Sequence, residues 1–154
     1  MSLVESMESL PVESILNTRL MQIGHSPMSN PVFILEGIGP AAFRSHFLRL
    51  ESGIVLDLFI AELTLASLSD MVCNGTTDGI PVDELIGRTV PHVWRDNTYS
   101  CIIILDGSIY LKDANDGVYG NPLRAGWLDQ DYNDSERAEF TDFWTEKPIE
   151  IGKT

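Results

Sequence analysis

The sequence contains one pair of residues whose types and spacing suit acid–base chemistry, His46 and Asp57. Two strands predicted on either side of a Ser52-Gly53 turn would make these side chains diagonal neighbours on one sheet face. A carboxylate can orient an imidazole as a general base, and Arg44 could bind an anion beside them. The three residues therefore form a candidate polar site, and a hydrolase-like enzyme is one hypothesis for the function.

The same pair has a plainer interpretation, which we favour. No Gly-x-Ser-x-Gly turn or other recognisable nucleophile accompanies His46 in the sequence. A histidine and a carboxylate on a half-exposed sheet face also stabilise each other simply as polar neighbours. We therefore expect that the protein is not an enzyme.

The segment Asp129-Gln-Asp131-Tyr-Asn133 has the alternating oxygen ligands that open a calcium-binding loop. Two features argue against calcium. The sixth position is Asp134 where the sharp turn needs glycine, and the closing acid, Glu139, arrives one residue early. The expected structure here is the capped beginning of a helix in an acidic loop.

Other metal and cofactor motifs are missing from the sequence. The 2 cysteines and 3 histidines lack the paired spacing of zinc ligands. The glycines of Gly37-Ile-Gly39-Pro40 lack the later glycine and the lysine of a phosphate-binding loop, and Pro40 has no amide donor. We therefore expect no metal and no cofactor.

Acidity is the most unusual property of the composition. The 154 residues include 23 acids and 10 bases, so the formal net charge is -13 and the pI is about 4.4. Such a charge repels nucleic acid and anionic membranes and speeds encounter with basic surfaces. Because the N-terminal residues also lack the basic and apolar regions of a signal peptide, we expect a cytoplasmic protein with a basic protein partner. The oligomeric state stays open.

Acids and aromatic residues are concentrated in the second half of the chain, in a composition that protein-binding surfaces share. Anchoring of loops is an equally good interpretation of the aromatic residues. The predicted partner-binding residues are Tyr119, Trp127, Asp129, Asp131, Tyr132, Asp134, Glu139, Asp142 and Glu146.

Apolar patterns predict the main elements. The run 53–65 is predicted to be the central strand, with a helix over 56–68 as the alternative. Asp106-Gly107 predicts a second hairpin with a two-residue turn, which would place Ile102, Ile104, Ile109 and Leu111 on one face. Helical spacing predicts an N-terminal helix over 9–21, a short helix over 81–86 and a C-terminal helix over 135–147. We find no internal repeat.

These elements predict a single α+β domain over 1–154, with 1–8 and 152–154 flexible. Its sheet would be mostly antiparallel, with five or six strands and the two terminal helices packed on it.

By general analogy, a small acidic α+β protein without motifs resembles the immunity proteins that neutralise bacterial toxins. The first hypothesis is therefore an inhibitor that binds a basic toxin or effector. The second is an acidic secretion chaperone that holds an unfolded effector segment on a sheet edge, normally as a dimer.

Overall fold

The computed structural model describes residues 10–25, 33–35, 39–41, 46–59, 62–66, 73–113 and 123–149. Within these ranges the chain is mostly strand, with four helices of four residues each. The helices are α1 (Val12–Ile15), α2 (Val82–Leu85), α3 (Leu128–Asp131) and α4 (Asp134–Arg137). The strands are β1 (Leu20–His25), β2 (Phe33–Leu35), β3 (Gly39–Ala41), β4 (His46–Leu50), β5 (Val55–Phe59), β6 (Glu62–Leu65), β7 (Cys73–Asn74), β8 (Thr77–Gly79), β9 (His92–Arg95), β10 (Cys101–Leu105), β11 (Ile109–Lys112), β12 (Leu123–Trp127) and β13 (Thr141–Asp142).

The strands form two large sheets where one was expected. The first sheet has five strands in the order β6-β5-β4-β1-β7, and the second has six in the order β13-β9-β10-β11-β12-β8. Only β8, which pairs with β12, runs parallel to its described neighbour. A separate pair joins β2 to β3. The mixed α+β class and the mostly antiparallel pairing are confirmed, whereas the single sheet of five or six strands is wrong.

The two large sheets share one apolar core. The first sheet contributes side chains such as Leu48, Leu56 and Leu58, and the second contributes Ile103 and Leu111, all almost fully buried. Burial of each such side chain contributes roughly 1.5–3 kcal/mol. A second cluster, containing Ile102, Ile104, Tyr110, Leu128 and Phe140, covers the opposite face of the six-stranded sheet. We call that opposite face the outer face.

The two large sheets repeat one topology, although the sequence shows no internal repeat. We define the first unit as the described residues of 10–74 and the second unit as those of 80–142. In each unit a proline precedes a four-residue helix, which is followed by a strand, a hairpin and two further strands. The equivalent strands are β1 and β9, β4 and β10, β5 and β11, β6 and β12, and β7 and β13.

The units meet in an approximately two-fold symmetric contact. Arg19 and Thr89 form an antiparallel bridge between them. The backbone hydrogen bonds around the bridge occur in equivalent pairs. In one pair Asn17 N donates to Val90 O at 2.7 Å and Gly87 N to Leu20 O at 2.7 Å; in the other, Leu20 N donates to Arg88 O at 2.8 Å and Val90 N to Thr18 O at 2.9 Å.

Both predicted hairpins exist, but their registers differ from the prediction by one residue. In the first, Leu48 lies opposite Leu56, and in the second, Leu105 lies opposite Ile109. Three residues rather than two separate the hydrogen-bonded Leu50 and Ile54 in the first hairpin, and three separate Leu105 and Ile109 in the second. Gly53 adopts a positive φ of 91° that allows the first loop to close. A one-residue slip exchanges the faces of a strand. The core face of the second hairpin therefore carries Ile103, Leu105, Ile109 and Leu111, while Ile102 and Ile104 face outward into the second cluster.

The apolar run 53–65 is not a single central strand. It contains β5 and β6, which pair antiparallel with each other, and β6 is the last described strand of its sheet. The strand interpretation is therefore correct in type and wrong in position, and the alternative helix over 56–68 is wrong. Residue periodicity alone does not indicate where an apolar run folds back on itself.

The two predicted terminal helices are wrong in extent. Of the predicted helix 9–21, only Val12–Ile15 is helical, and Leu20 already begins β1. Of the predicted helix 135–147, only the beginning is helical, and Thr141–Asp142 is a strand. The predicted short helix over 81–86 is confirmed as Val82–Leu85. No described helix is long and apolar enough to cross a membrane.

Candidate functional site

A groove of about 940 Å³ lies on the outer face of the six-stranded sheet. Apolar side chains of the second cluster line it, among them Trp94, Ile104, Leu128 and Ile149. Four carboxylates, one histidine and two basic side chains also line it: Asp106, Asp129, Asp134, Asp142, His92, Arg137 and Lys147. An apolar interior surrounded by charged groups is the usual anatomy of a binding site.

His92 and Trp94 form an aromatic stack in the groove. Because they are two positions apart on β9, they project from the same sheet face. Their ring centroids are 4.9 Å apart with an interplanar angle of 22°. Phe140, a member of the second cluster, packs against Trp94 in an edge-to-face arrangement. Burial lowers the pKa of His92, although the negative charge of Asp142 opposes that shift. Burial thus favours the uncharged form of the His92 imidazole.

Helix α4 forms one wall of the groove. Polar and acidic residues at and before its first turn cap the helix or form ion pairs with it. The Asn133 side chain and that of Glu136 make a reciprocal capping box. Arg137 donates from Nη1 to Asp129 Oδ1 at 2.7 Å and from Nη2 to Asp134. The predicted capped helix is thus present. Among the described residues, no cluster of three histidine, cysteine or acidic side chains could hold a metal ion.

Asp142 and Asp106 are both anchored by backbone amides. The Oδ1 atom of Asp142 accepts hydrogen bonds from Trp144 N and Thr145 N, each at 2.9 Å. Asp106 accepts from Thr89 N at 3.1 Å, and this bond, with the charge of Arg88, lowers the pKa of its carboxyl group. These contacts fix the direction of both carboxylates without requiring a ligand.

Asp131 and Tyr132, two of the predicted partner-binding residues, belong to polar networks of the outer face. Tyr110 Oη donates to Asp131, and Arg124 donates to the same carboxylate at 3.2 Å. Tyr132 Oη donates to Asp96 at 3.4 Å. Burial and the nearby Asp96 charge raise the pKa of Tyr132. Both side chains are therefore used within the protein.

The predicted partner-binding residues do not form one surface. Asp129, Asp134 and Asp142 line the groove. Trp127 is 41% exposed outside the groove lining, and Glu146 accepts a hydrogen bond from Tyr99 Oη at 3.2 Å. Glu139 is exposed. Tyr119 and Arg44 lie outside the described residues.

The predicted pairing of His46 with Asp57 is wrong. His46 lies opposite Leu58 and Asp57 lies opposite Phe47, so the two side chains project from different faces of the sheet. The buried His46 instead places Nε2 at 3.8 Å from Asp113 Oδ1. Asp113 follows β11 of the other sheet, and no local sequence signal links it to His46.

A second contact between the sheets lies at the same ends of the strands. Arg95 is 4% exposed and places Nη2 at 3.5 Å from Glu62 Oε2 on the first sheet. Its guanidinium group lies 4.7 Å from the ring centroids of both Tyr99 and Phe143. Sequence reasoning missed Arg95 because an arginine in an exposed strand and one between two sheets have the same local pattern.

Comparisons of the chain with protein-family models, with curated proteins and with solved structures find no match.

Proposed function

We propose that the protein is a small acidic protein-binding module that receives a basic partner in the outer-face groove. One observation carries this proposal: four carboxylates line an apolar groove in a chain with a formal net charge of -13. Apolar contacts in the groove would supply affinity, while the carboxylates and the overall charge would favour basic partners and speed their association.

An immunity-type inhibitor of a basic bacterial toxin or effector is the form of this module that we favour. An inhibitor benefits from fast association with its target, and complementary charge speeds that association. Support for this choice comes from the acidity and from the general analogy with immunity proteins. An acidic secretion chaperone is the alternative, and it predicts a dimer that binds extended peptides. The enzyme hypothesis loses its support because His46 and Asp57 lie on different faces.

The experiment begins with mass spectrometry of proteins that co-purify with the full chain from its native cell. The association rate of the recovered partner is then measured at several salt concentrations. The groove variant is Asp129→Asn/Asp134→Asn, which removes two charges and leaves Arg137 without its two carboxylates. The control is Glu13→Gln/Asp83→Asn, which removes two charges from exposed acids outside the groove lining.

At low salt we expect the groove variant to associate roughly tenfold more slowly than wild type, with a weaker salt dependence. The control should differ from wild type much less, because it changes the net charge equally but leaves the groove intact. Equal rates for the two double variants would contradict binding in the groove. Recovery of unfolded effector segments by a dimeric protein would favour the chaperone.

A further inference from the structure

The two units allow the groove to be compared with an equivalent surface in the same chain. The ladder of β1 with β4 pairs Gln22 with Arg49, and the ladder of β9 with β10 pairs His92 with Ile104. Since these ladders are equivalent, Gln22 corresponds to His92. By the same register Gly24 corresponds to Trp94.

The outermost strands extend this correspondence. Asn74 pairs with Gly24 in the first unit, and Asp142 pairs with Trp94 in the second. Asn74 therefore corresponds to Asp142. Gln22 Nε2 donates to Asn74 Oδ1 at 2.7 Å, while the charge of Asp142 acts on His92 at the equivalent place.

The equivalent positions of the two units carry side chains of different chemistry. The first unit builds the same strand pairing with a neutral amide pair and a glycine. The second unit has an aromatic stack and a carboxylate at these positions, so its backbone arrangement does not by itself require them. Residues that a fold does not require, and that line a groove, are candidates for recognition.

Their chemistry fits a flat cation. Both hydrogen bonds described for the Asp142 carboxylate fall on Oδ1, so Oδ2 can accept from a ligand. His92 is exposed, stacks one ring face on Trp94 and feels the negative charge of Asp142. A guanidinium group stacks on aromatic rings and donates hydrogen bonds in its own plane, whereas an ammonium group does not stack.

We propose that the groove recognises an arginine side chain of its partner, stacked on the His92–Trp94 pair and hydrogen-bonded to Asp142. This inference rests on the proposed function, because it names the side chain through which a basic partner would enter the groove. The excess of negative charge favours such a partner over one with acidic anchors. Burial lowers the pKa of His92 and so favours the neutral ring, which reduces its repulsion of a guanidinium group.

The test uses the full-length protein and two capped peptides, hexa-arginine and hexalysine, by calorimetry at physiological salt. The variant His92→Gln/Asp142→Asn installs the residues that the first unit already carries at Gln22 and Asn74. It should fold, because Asn retains the Oδ1 acceptor for Trp144 N and Thr145 N. The control, Glu13→Gln, also removes one negative charge but lies outside the groove lining.

We expect wild type and the control to bind hexa-arginine more tightly than hexalysine. The variant should lose roughly tenfold in hexa-arginine affinity and should no longer distinguish the peptides. Equal affinities of wild type for the two peptides, or equal hexa-arginine affinities of wild type and variant, would overturn the arginine site. The association experiment with the natural partner tests the groove through different residues, Asp129 and Asp134. A negative peptide result would therefore remove the arginine site without contradicting the binding of a partner in the groove.

Discussion

Arg19 and Thr89 lie opposite each other in an antiparallel bridge that joins the two units. The flanking hydrogen bonds, from Leu20 N to Arg88 O and from Val90 N to Thr18 O, identify them as a non-hydrogen-bonded pair. Such pairs have Cα atoms roughly 4.5 Å apart, within the range of roughly 4.4–6.8 Å that disulfides span.

A cysteine pair at these positions should therefore form a disulfide. We expect the Arg19→Cys/Thr89→Cys variant to gain about 2–4 kcal/mol in unfolding free energy under oxidising conditions, because the link closes a long loop in the unfolded chain. Thermal melts with and without reductant measure the gain. The two single variants are the controls. A double variant that melts at the same temperature with and without reductant would contradict the bridge.

Asn17 and Gly87 occupy equivalent positions after α1 and α2, and both have positive φ, 63° and 92°. A Cβ added at Gly87 would meet no heavy atom within 4 Å, so the backbone conformation decides the cost of substitution. We expect Gly87→Asn to be tolerated, as Asn17 is, whereas Gly87→Val should cost about 1–2 kcal/mol. Urea unfolding of both variants measures the difference. If Gly87→Asn lost as much unfolding free energy as Gly87→Val, asparagine would not be tolerated at Gly87 as it is at Asn17. The two turns would then not be equivalent.

Asp96 should make stability depend on acid pH. Burial raises the pKa of this carboxyl group, but hydrogen bonds from Lys112, Ser100 N and Thr98 outweigh burial and leave the pKa below its ordinary value of 3.8. The folded state thus binds the proton less readily than the unfolded state. The stabilisation is complete above pH 3.8 and disappears as the pH falls through the lowered folded pKa.

Urea unfolding between about pH 5 and pH 2 tests this expectation. The Asp96→Asn variant should be less stable than wild type near neutral pH, and the difference between them should shrink as the pH falls. A difference that stays constant across this range would show that the charge of Asp96 is not the cause.

Cys101 should be chemically inert in the folded protein. Burial raises the pKa of its thiol to about 12, and the side chain has no exposed surface. Because the thiolate is the reactive form, iodoacetamide at mildly alkaline pH should leave Cys101 unmodified in native protein and label it in urea. Mass spectrometry of the peptide that contains Cys101 gives the result. Equal labelling in both conditions would contradict the packing at the beginning of β10.

The pKa of His92 reports on its distance from Asp142. Burial lowers this pKa and the Asp142 charge raises it, so Asp142→Asn should lower it further. Titration of the His92 ring protons by NMR measures both values, with Glu13→Gln as the charge control. An unchanged pKa in Asp142→Asn would place the carboxylate away from the imidazole.

The sequence predicts both hairpins because Gly53 and Asp106-Gly107 mark the turns. It does not predict the registers, since two-residue and three-residue loops use the same turn residues and a single slip moves every side chain to the other face. That slip also produced the expected pairing of His46 with Asp57. The partner found, Asp113, comes from the other sheet and depends on how the sheets pack.

The repeat is not evident in the sequence because it lies in the backbone more than in the residues. Leu10-Pro-Val-Glu and Ile80-Pro-Val-Asp are similar, but the strands that follow share only an apolar character. Three of the predicted partner-binding residues, Asp129, Asp134 and Asp142, line the groove, and their binding of a partner stays a prediction. His92 and Trp94 are not among the predicted residues, because their role depends on which face of β9 points outward.

The division of the two sheets between the units has a consequence for synthesis of the protein. Every strand of the five-stranded sheet is translated before any strand of the six-stranded sheet. On the ribosome, the apolar face with Leu48, Leu56 and Leu58 therefore stays exposed until the six-stranded sheet that covers it has been synthesised. An exposed apolar face of this kind favours chaperone binding and aggregation, so slower translation of the second half should increase the chaperone binding and the aggregation of the nascent protein.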